Sequence, residues 1–554
     1  MKVGAAIAEI MKREGIEILT AYPVNHLIEH AAEIDIRPII VRQERIGLHM
    51  ADAISRLTSG DKIGAFCMQH GPGTENAYGG VAQAYSESIP ILVVPGGYPR
   101  RIAQVGANYS AVREMRGISK SAESIMTADE VSNVMRRAFT KIRNGRGGPA
   151  IVEVPGDLWT AELTGELNYT PVARFKYAPE PAMVKQAAKL LTKAKRPVLY
   201  VGQGVHWAKA WPQVKELAEL LAIPVTTSIE GKSAFDETHP LSLGSGGIGI
   251  ARAVRRFLDQ SDLIFGIGVS FTETSFGVPM PDNEGRKFIQ NTLDPDHVNN
   301  TVIVDTVLLG DAALTLDALL VEIKKTVSKP KPQKKVVDEI KSHNGPWLKE
   351  WEPKLNDDTT PLSPYRVIND LWKTVDVDNT IITHDAGSPR DQLTPFWKCT
   401  KPLTYIGWGK TTQLGYGLGL VMGAKLVHPN KLCVNVWGDA AIGFTGMDFE
   451  TCVRERIPIM SILLNNFSMA IEIPIMPISA KKYNSTDISG DYAAMARAFG
   501  GYGERVEKPE DIIPAIKRGI KQTKKGVPVL LEFITKKEVA RSLHPIQGRP
   551  PTRW

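Results

Sequence analysis

The sequence predicts an α/β protein with three doubly wound domains, each organised around a parallel sheet. The first observation is that short apolar runs alternate with amphipathic helical patterns along most of the chain, as strands and helices do in parallel sheets. The second is the length, because 554 residues correspond to three or four domains of about 100–200 residues each. The third is a composition of 43% hydrophobic and 23% charged residues, which is typical of globular domains.

Composition and charge exclude several classes of protein. No apolar run reaches the ~18 residues that span a bilayer, and Glu9 and Glu14 interrupt the first apolar segment, which predicts an amphipathic helix and no signal peptide. The net charge is +7, but no basic and aromatic module indicates nucleic-acid binding. The four cysteines lack metal-binding spacing, which favours reduced thiols and a cytoplasmic location. They are Cys67, Cys399, Cys433 and Cys452.

The N-terminal domain is expected to cover residues 1–170. Apolar runs predict its strands at residues 16–20, 38–42, 63–68, 91–95 and 150–154. Glu44 directly follows the second of these strands and begins a helical pattern. A carboxylate at this position either stabilises the helix N-terminus or lies at the carboxyl edge of the sheet, where ligands bind.

A middle domain is expected at residues 183–326. The pattern predicts a helix at 183–194 and strands at 198–202, 225–228, 263–268 and 302–305. Gly202-Gln203-Gly204 follows the first of these strands, but the full dinucleotide-binding fingerprint is missing. Residues 327–346 are rich in Lys and Pro, which predicts a solvated linker between the middle domain and the next one.

The C-terminal domain is expected at residues 361–540, followed by a tail at 541–554. Apolar runs predict its strands at residues 380–384, 403–406, 432–437, 459–464 and 529–534. The tail contains His544, Arg549, Arg553 and Trp554. A chain terminus of this kind is disordered by default.

One strand–turn–helix–strand unit, residues 431–468, carries the main chemical signal. Asp439 follows its first strand and Asn466 follows its second. Because the carboxyl ends of parallel strands lie at one edge of the sheet, both side chains are expected at that edge. Their oxygen atoms suit a hard cation such as Mg²⁺, and the helix N-terminus after Gly438 suits a phosphate. The plain alternative is an ordinary βαβ unit with two polar turn residues.

This unit resembles the Gly-Asp-Gly…Asn-Asn motif of thiamine diphosphate (ThDP) enzymes, in which a metal ion bridges the protein and the diphosphate. The separation of Asp439 and Asn466, 466 − 439 = 27 residues, suits that motif, and Ala440 replaces its second glycine, as in acetolactate-synthase-like members. The segment that contains Glu44 resembles the family's essential-glutamate motif. Residues 70–76, HGPGTEN, resemble its Ser-Gly-Pro-Gly-x-x-Asn turn. Over nearly its whole length, the chain resembles the acetolactate synthase-like and 2-oxo acid decarboxylase family.

The resemblance implies ThDP and Mg²⁺ as cofactors. Asp439, Asn466 and Ser468 are then the expected metal ligands. Glu44 is expected to hydrogen-bond the aminopyrimidine ring and so promote loss of the thiazolium C2 proton, and Leu414 is expected to bend the cofactor. The other expected cofactor contacts are Pro23, Gly71, Asn76, Asp385, Gly387, Ser388, Gln413, Gly438, Ala440, Ala441 and Met469.

The resemblance also identifies residues on the substrate side. His70 stands where many relatives have Ser, and His26 lies in the turn after the first strand. Both are expected to be catalytic, as proton-transfer groups, and the alternative for each is a hydrogen-bonded structural histidine. Ala111 replaces a substrate-side Gln of acetolactate synthases, which argues against acetolactate synthesis itself.

The expected function is therefore to cleave or form a carbon–carbon bond beside a carbonyl, as a 2-oxo acid decarboxylase or carboligase. The alternatives are a 2-hydroxyacyl-CoA lyase or cyclic 1,2-dione hydrolase on the same scaffold and, more remotely, a non-catalytic ThDP-binding protein or an α/β nucleotide binder without ThDP. In the family, Glu44 and the metal motif come from different chains, so the resemblance implies a homodimer or homotetramer. We expect no nucleotide in the middle domain, with FAD or ADP as the alternatives.

Overall fold

The computed structural model describes residues 1–544 and contains three α/β domains, each with one six-stranded sheet. Every pairing between neighbouring strands in these sheets is parallel. The predicted fold class, α/β with three doubly wound parallel sheets, is therefore confirmed. Within residues 1–544, no helix is both long enough and apolar enough to cross a membrane.

The N-terminal sheet has the strand order β2-β1-β3-β4-β6-β5. Its strands are β1 (Ile18–Ala21), β2 (Arg37–Ile40), β3 (Gly64–Met68), β4 (Ile91–Gly97), β5 (Ser121–Ser124) and β6 (Ala150–Pro155). Its helices are α1 (Val3–Arg13), α2 (Leu27–Ala32), α3 (Glu44–Leu57), α4 (Pro72–Ser86), α5 (Ala111–Met115) and α6 (Val131–Arg143). Phe66 and Cys67 are adjacent in β3 but enter two different apolar clusters. Both faces of this sheet are therefore covered, as in parallel sheets generally.

The middle sheet has the strand order β12-β11-β10-β7-β8-β9, which is the 3-2-1-4-5-6 order of dinucleotide-binding folds. Its strands are β7 (Pro197–Val201), β8 (Val225–Thr227), β9 (Ser242–Ser245), β10 (Leu263–Ile267), β11 (Lys287–Thr292) and β12 (Thr306–Leu309). The helices of this part of the chain are α7 (Pro181–Lys193), α8 (Gly204–Ala208), α9 (Trp211–Leu221), α10 (Arg252–Gln260), α11 (Ala312–Lys324) and α12 (Lys334–Leu355).

The C-terminal sheet has the strand order β14-β13-β15-β16-β18-β17, which repeats the order of the N-terminal sheet. Its strands are β13 (Thr380–His384), β14 (Tyr405–Ile406), β15 (Leu432–Gly438), β16 (Met460–Asn465), β17 (Tyr502–Val506) and β18 (Val529–Ile534). Its helices are α13 (Pro364–Thr374), α14 (Ser388–Phe396), α15 (Tyr416–Val427), α16 (Asp439–Thr445), α17 (Phe449–Arg454), α18 (Pro477–Tyr483), α19 (Tyr492–Ala498) and α20 (Pro509–Lys524).

The N-terminal and C-terminal domains pack through helices α3 and α15. Gly419 allows the close approach, because a Cβ atom there would lie 2.4 Å from the Cβ of His49. Beside this contact, the buried carboxylate of Glu87 accepts hydrogen bonds from the backbone N–H groups of Gly409 (3.0 Å) and Lys410 (2.8 Å). The packing thus anchors the segment that leads to Leu414.

The structure differs from the sequence prediction at the linker. Residues 327–346 are predicted to be a solvated linker, but most of them belong to the 22-residue helix α12, which continues through Pro346 and Pro353. Ile340 and Trp347 are buried on one side of this helix and pack with the apolar cluster of the middle domain. Their seven-residue spacing places both side chains on one helical face, so tertiary packing stabilises a helix where Lys and Pro content indicated none.

The sequence also missed several strands. β5, β9 and β17 lie at sheet edges and were not predicted, because edge strands need no continuous apolar run. The last strand of the middle domain was predicted at 302–305 but is β12, which begins at Thr306. The inner strand β11 was missed as well, since its sequence, KFIQNT, contains two buried amides. Of the predicted tail, residues 545–554 lie outside the described part of the chain.

Candidate active site

A cleft lies at the carboxyl ends of β13, β15 and β16 in the C-terminal domain. Its volume is about 1010 Å³ including the open mouth. It brings together ten of the residues that the sequence predicts to contact a cofactor or metal. They are Gly387, Ser388, Leu414, Gly438, Asp439, Ala440, Ala441, Asn466, Ser468 and Met469.

Asp439 is the best-organised polar residue in this cleft. It is only 4% exposed. Its Oδ2 accepts hydrogen bonds from the backbone N–H groups of Asn466 (3.2 Å) and Ser468 (3.0 Å), and its Oδ1 accepts one from Ala440 (2.9 Å). Burial raises the pKa of the Asp439 carboxyl, and the three backbone donors oppose that rise. The carboxylate thus joins the ends of β15 and β16 at one point.

The side chain of Asn466 supplies a test of the predicted metal site. Its Oδ1 is buried without a hydrogen-bond partner, and so is the Oγ of Ser468. Buried oxygens of this kind are normally paired, and here they lie next to the Asp439 carboxylate. Carboxylate and amide oxygens are the donors that Mg²⁺ prefers, so these residues fit the ion. Within residues 1–544, no cluster of three His, Cys, Asp or Glu side chains offers another metal site.

The N-terminus of α14 forms a second wall of the cleft. Gly387 precedes the helix with a φ of +83°, a conformation that favours glycine. Ser388 and Pro389 begin the nine-residue helix, and all three residues line the cleft. The backbone N–H groups at a helix N-terminus attract anions, so this wall fits a diphosphate.

Asp385 does not line the cleft but supports it from below. The side chain is fully buried and accepts hydrogen bonds from the backbone N–H groups of Ala386, Gly415 and Gly417, at 2.8, 2.9 and 2.9 Å. Burial raises the pKa of this carboxyl to about 7. Asp385 therefore connects the Gly387 turn to the residue that directly follows Leu414.

Gln413 also lies outside the cleft. Its Oε1 is 2.9 Å from the Nε2 of His49 in α3, and its backbone N–H donates to Gln83 in α4 at 3.3 Å. Because Gln413 contacts the N-terminal domain of its own chain, its side chain belongs to the domain contact. Its neighbour Leu414 does line the cleft.

The N-terminal domain holds the other predicted residues, and none of them lines the cleft. Glu44 begins α3 and is 2% exposed. Burial raises the pKa of its carboxyl, and hydrogen bonding to Asn76 opposes the rise. Burial thus favours the protonated form of this carboxyl, which suits contact with a basic ring nitrogen.

The remaining predicted residues of the N-terminal domain follow the first and third strands of its sheet, β1 and β3. Pro23, His26, His70 and Asn76 are all exposed, whereas Gly71 is buried. The His70 ring packs edge-on against Tyr98, with ring centroids 4.5 Å apart. His26 and His70 are therefore open to solvent in the single chain.

The structure adds functional candidates that the sequence did not reveal. Phe276, Arg390, Asp391 and Arg541 line the same cleft. They come from the middle domain, from helix α14 and from the segment after β18. Arg390 and Asp391 lie directly after the predicted turn at Ser388. This adjacent charged pair was the only feature of the sequence that could have indicated these candidates.

A second cleft lies between the middle and N-terminal domains. Its volume is about 1490 Å³ including the open mouth, and Gly202, Gln203 and Gly204 line it together with Arg146 and Arg174. It lies at the carboxyl ends of β7 and β10, where the strand order reverses, which is the usual position for nucleotides in such sheets. Whether FAD, ADP or no nucleotide binds here stays a prediction.

Fold and site together define a class of protein: a three-domain α/β chain with a cleft that fits a diphosphate and a divalent cation. Comparison with family models gives the same class. Residues 1–117 match the N-terminal thiamine pyrophosphate (TPP) binding domain of thiamine pyrophosphate enzymes. Residues 184–319 match their central domain, and residues 385–533 match their C-terminal TPP binding domain. The chain belongs to the thiamine pyrophosphate enzyme family, thiamine pyrophosphate being another name for ThDP.

Several curated proteins are similar to the chain over nearly their whole length. It is 27% identical to a probable acetolactate synthase large subunit from Methanococcus aeolicus, over 98% of this chain and 94% of that protein. It is 26% identical to a probable acetolactate synthase large subunit from Methanocaldococcus jannaschii, over 99% and 94%. It is 27% identical to the acetolactate synthase isozyme 3 large subunit from Escherichia coli K12, over 99% and 95%. The resemblance to acetolactate synthase-like ThDP enzymes is therefore confirmed.

Proposed function

We propose that this protein is a ThDP- and Mg²⁺-dependent enzyme that forms carbon–carbon bonds from 2-oxo acids, as a carboligase similar to acetolactate synthases. The observation that carries the cofactor assignment is the buried, unpartnered Oδ1 of Asn466 beside the Asp439 carboxylate. The reaction type is supported by relatives named acetolactate synthase that align over 98–99% of this chain.

Asp439, Asn466 and Ser468 are the residues that would hold Mg²⁺ and, through it, the diphosphate. The backbone N–H groups at the N-terminus of α14, which begins at Ser388, would also donate hydrogen bonds to the diphosphate. Leu414 is held by the Asp385 carboxylate through Gly415 and lines the cleft with an apolar side chain. When bound there, ThDP supplies the nucleophilic carbon and the electron sink of the reaction.

Glu44 is assigned to the proton chemistry of the cofactor ring. Its burial raises the pKa of the carboxyl and so favours the protonated form, and the side chain can share a proton with a ring nitrogen of the cofactor. Asn76 hydrogen-bonds the same carboxyl and so fixes the orientation of the Glu44 side chain. Glu44 therefore acts as a proton-holding group, and neutralising it to an amide removes that capacity.

We further propose that two chains share each active site. Glu44, Pro23, His26, His70 and Asn76 do not line the cleft of their own chain. Four of the five are exposed, and a catalytic group needs a site that excludes water. Large apolar side chains are exposed beside both halves, with Val24 70% exposed in the N-terminal domain and Ile478 78% exposed on α18. A homodimer would cover these surfaces and complete the site, and a homotetramer would contain two such dimers.

His70 and His26 are the proposed acid–base residues on the substrate side. Both lie at turns after strands of the N-terminal sheet, in the half that the second chain would cover. The Tyr109 hydroxyl donates to the carbonyl of Gly71 at 3.0 Å, which holds the turn beside His70. An imidazole ring held in this way can give a proton to the substrate or take one from it.

The proposal is tested first by binding and then by turnover. Calorimetric titration of the protein with ThDP should show tight binding in the presence of Mg²⁺ and weak binding in its absence. ThDP binding that is independent of divalent cations would contradict the metal site.

The turnover screen uses pyruvate alone, pyruvate with 2-oxobutyrate, acyloins, 2-hydroxyacyl-CoA thioesters and cyclic 1,2-diones. Carboligation of 2-oxo acids is the expected activity. Release of carbon dioxide without a ligation product would instead indicate a decarboxylase. Turnover of only the thioesters or diones would indicate the corresponding lyase or hydrolase. Tight ThDP binding with no turnover at all would indicate a non-catalytic ThDP-binding protein.

A further inference from the structure

A group of three charged side chains lines the active-site cleft without any role in the chemistry described so far. The Nε of Arg390 donates to Oδ1 of Asp391 at 2.8 Å, and the Nη1 of Arg541 donates to Oδ2 of the same carboxylate at 3.0 Å. Arg390 is 2% exposed and Asp391 1% exposed. All three residues line the cleft, and two guanidinium groups with one carboxylate leave one positive charge there.

Both arginines keep unused donors. The Nη1 of Arg390 and the Nε of Arg541 are buried and have no hydrogen-bond partner among the described residues. A buried charged donor without a partner is unfavourable. An anionic ligand in the cleft would supply the missing acceptors and neutralise the remaining charge.

The two guanidinium groups are held in place by separate parts of the fold. Arg390 belongs to α14, and its guanidinium carbon lies 4.7 Å from the ring centroid of Phe276. Arg541 is carried by the segment after β18, in which Ser542 donates to the carbonyl of Ile250 (2.6 Å) and accepts from the indole of Trp347 (2.8 Å). Side chains fixed in this way lose little conformational freedom when they bind a ligand.

This pair is distinct from the residues that fit the metal ion. Asp439, Asn466 and Ser468 lie after strands β15 and β16. Arg390 lies in α14, two residues after Ser388, and Arg541 lies in the segment after β18. The cleft therefore offers two guanidinium groups in addition to the oxygen atoms that fit the metal.

We propose that Arg390 and Arg541 bind the carboxylate of the 2-oxo acid substrate; this inference rests on the proposed function. A carboxylate matches the fork of a guanidinium group, and its single charge matches the net charge of the Arg390–Asp391–Arg541 group. Asp391 is a positioning residue, because it orients both guanidinium groups.

The test is Arg541→Gln in the ThDP- and Mg²⁺-loaded protein. Arg541 is more suitable than the deeply buried Arg390, because its side chain is 24% exposed and its loss endangers folding less. Calorimetry measures binding of oxamate, an unreactive mimic of pyruvate, and kinetics compare pyruvate with its uncharged methyl ester. The expected result is a roughly 10- to 100-fold lower affinity for oxamate and a KM for pyruvate that is higher by a similar factor, the usual worth of a charged hydrogen bond. The KM for methyl pyruvate and the affinity for ThDP should not change.

Two further variants serve as controls. Lys537→Gln removes one positive charge from the same segment, but Lys537 does not line the cleft and pairs with Asp487 at 3.5 Å, so oxamate affinity should stay at the wild-type value. Arg541→Lys keeps the charge without the planar fork, so its loss of affinity should be smaller than that of Arg541→Gln.

The possible results separate this inference from the proposed function. Wild-type oxamate affinity in Arg541→Gln, or an equal loss in Lys537→Gln, would overturn the carboxylate site. A parallel loss of ThDP affinity would also overturn it, because the arginine would then serve the diphosphate. If the wild-type protein binds oxamate through Arg541 but converts no 2-oxo acid, the carboxylate site stands and the proposed function fails.

Discussion

The N-terminal and C-terminal domains share one strand order, yet they present different chemistry at equivalent strand ends. After the first strand, one domain has the turn with His26 and the other has the helix N-terminus at Ser388. After the third strand, one has His70 and the other has Asp439. The C-terminal domain thus offers oxygen and N–H groups that suit a metal and a diphosphate, whereas the N-terminal domain offers rings and a proton-holding carboxyl.

The two domains also differ in how their strand ends are covered. Residues from the middle domain and from the segment after β18 border the C-terminal strand ends, which form a cleft. The corresponding N-terminal residues remain at the surface, and His26, His70 and Asn76 are exposed. A single scaffold therefore carries two predicted half-sites, one that lines a cleft and one that lies largely at the surface of the chain. The predictions below test this division, beginning with the largest expected effect.

Asp439→Ala should abolish the binding of Mg²⁺ and ThDP by the C-terminal half-site. The substitution removes the only carboxylate among the proposed metal ligands, and losses should exceed the roughly 10- to 100-fold that outer-shell changes cause. ThDP affinity measured by calorimetry in limiting Mg²⁺ should fall together with Mg²⁺ affinity. Unchanged ThDP affinity would place the metal site elsewhere. Asp448→Asn is the matched control, since Asp448 is a buried carboxyl that does not line the cleft.

Glu44→Gln should separate binding from catalysis in the N-terminal half. An amide cannot share a proton with the ring nitrogen, so kcat should fall toward the upper end of the roughly 10²–10⁴-fold range for acid–base groups. ThDP affinity should change little, because no metal or diphosphate ligand is lost. The measurement is exchange of the C2 proton of bound ThDP, followed by NMR. Wild-type exchange in the variant would refute the assignment of Glu44.

His70→Ala should lower kcat by an amount near the lower end of the same roughly 10²–10⁴-fold range, with ThDP affinity retained. The pH profile of kcat/KM should also change, because a proton-transfer group is removed. Tyr98→Phe, which keeps the edge-on ring against His70, is the control for packing. A variant with wild-type turnover, or one that loses ThDP, would show that His70 is structural.

Mixing two inactive variants tests directly whether the halves come from different chains. Chains with Glu44→Gln and chains with Asp439→Ala should recover about one quarter of wild-type activity after joint refolding or co-expression, since half of the dimers are hybrids with one intact site each. The activity of each variant alone is the baseline. If both halves of a site belonged to one chain, the mixture would show no recovery.

Asp385 gives a smaller, pH-dependent effect on stability. Burial raises the pKa of its carboxyl to about 7 in the folded protein, compared with about 3.9 in an unfolded chain. The folded state therefore binds more protons between about pH 4 and pH 7, so the free energy of unfolding should fall as pH rises through this window and level off above it. Each unit of difference between the folded and unfolded pKa values changes the free energy of unfolding by about 1.4 kcal/mol across the window.

The measurement for Asp385 is the denaturation midpoint of the cofactor-free protein at a series of pH values. Asp385→Asn should be less stable, because the amide cannot accept all three backbone hydrogen bonds, and its stability should depend less on pH within that window. A variant with the same pH dependence as the wild type would show that another group is responsible. Neither result would alter the division between the two half-sites.

The sequence by itself determined the fold class and the family, and it predicted the residues of the two half-sites. Strand ends and turns are local features, so Glu44, Asp439 and Asn466 could be placed at strand ends from neighbouring residues alone. Their spacing then resembled a known family, which the family models confirm. The structure brings ten of the predicted contact residues into one cleft, and the roles of the individual residues remain predictions.

Only the tertiary structure decided which groups meet and which stay apart. Asp391 and Arg541 are 150 residues apart in the chain but form one ion pair in the cleft, and no local pattern encodes such a contact. Helix α12 was hidden by its Lys and Pro content, because burial of Ile340 and Trp347 outweighs its weak helix propensity. The exposure of the N-terminal half-site was also invisible in the sequence. Exposure depends on what the rest of the folded chain covers, and here the fold covers one of two equivalent sheet edges.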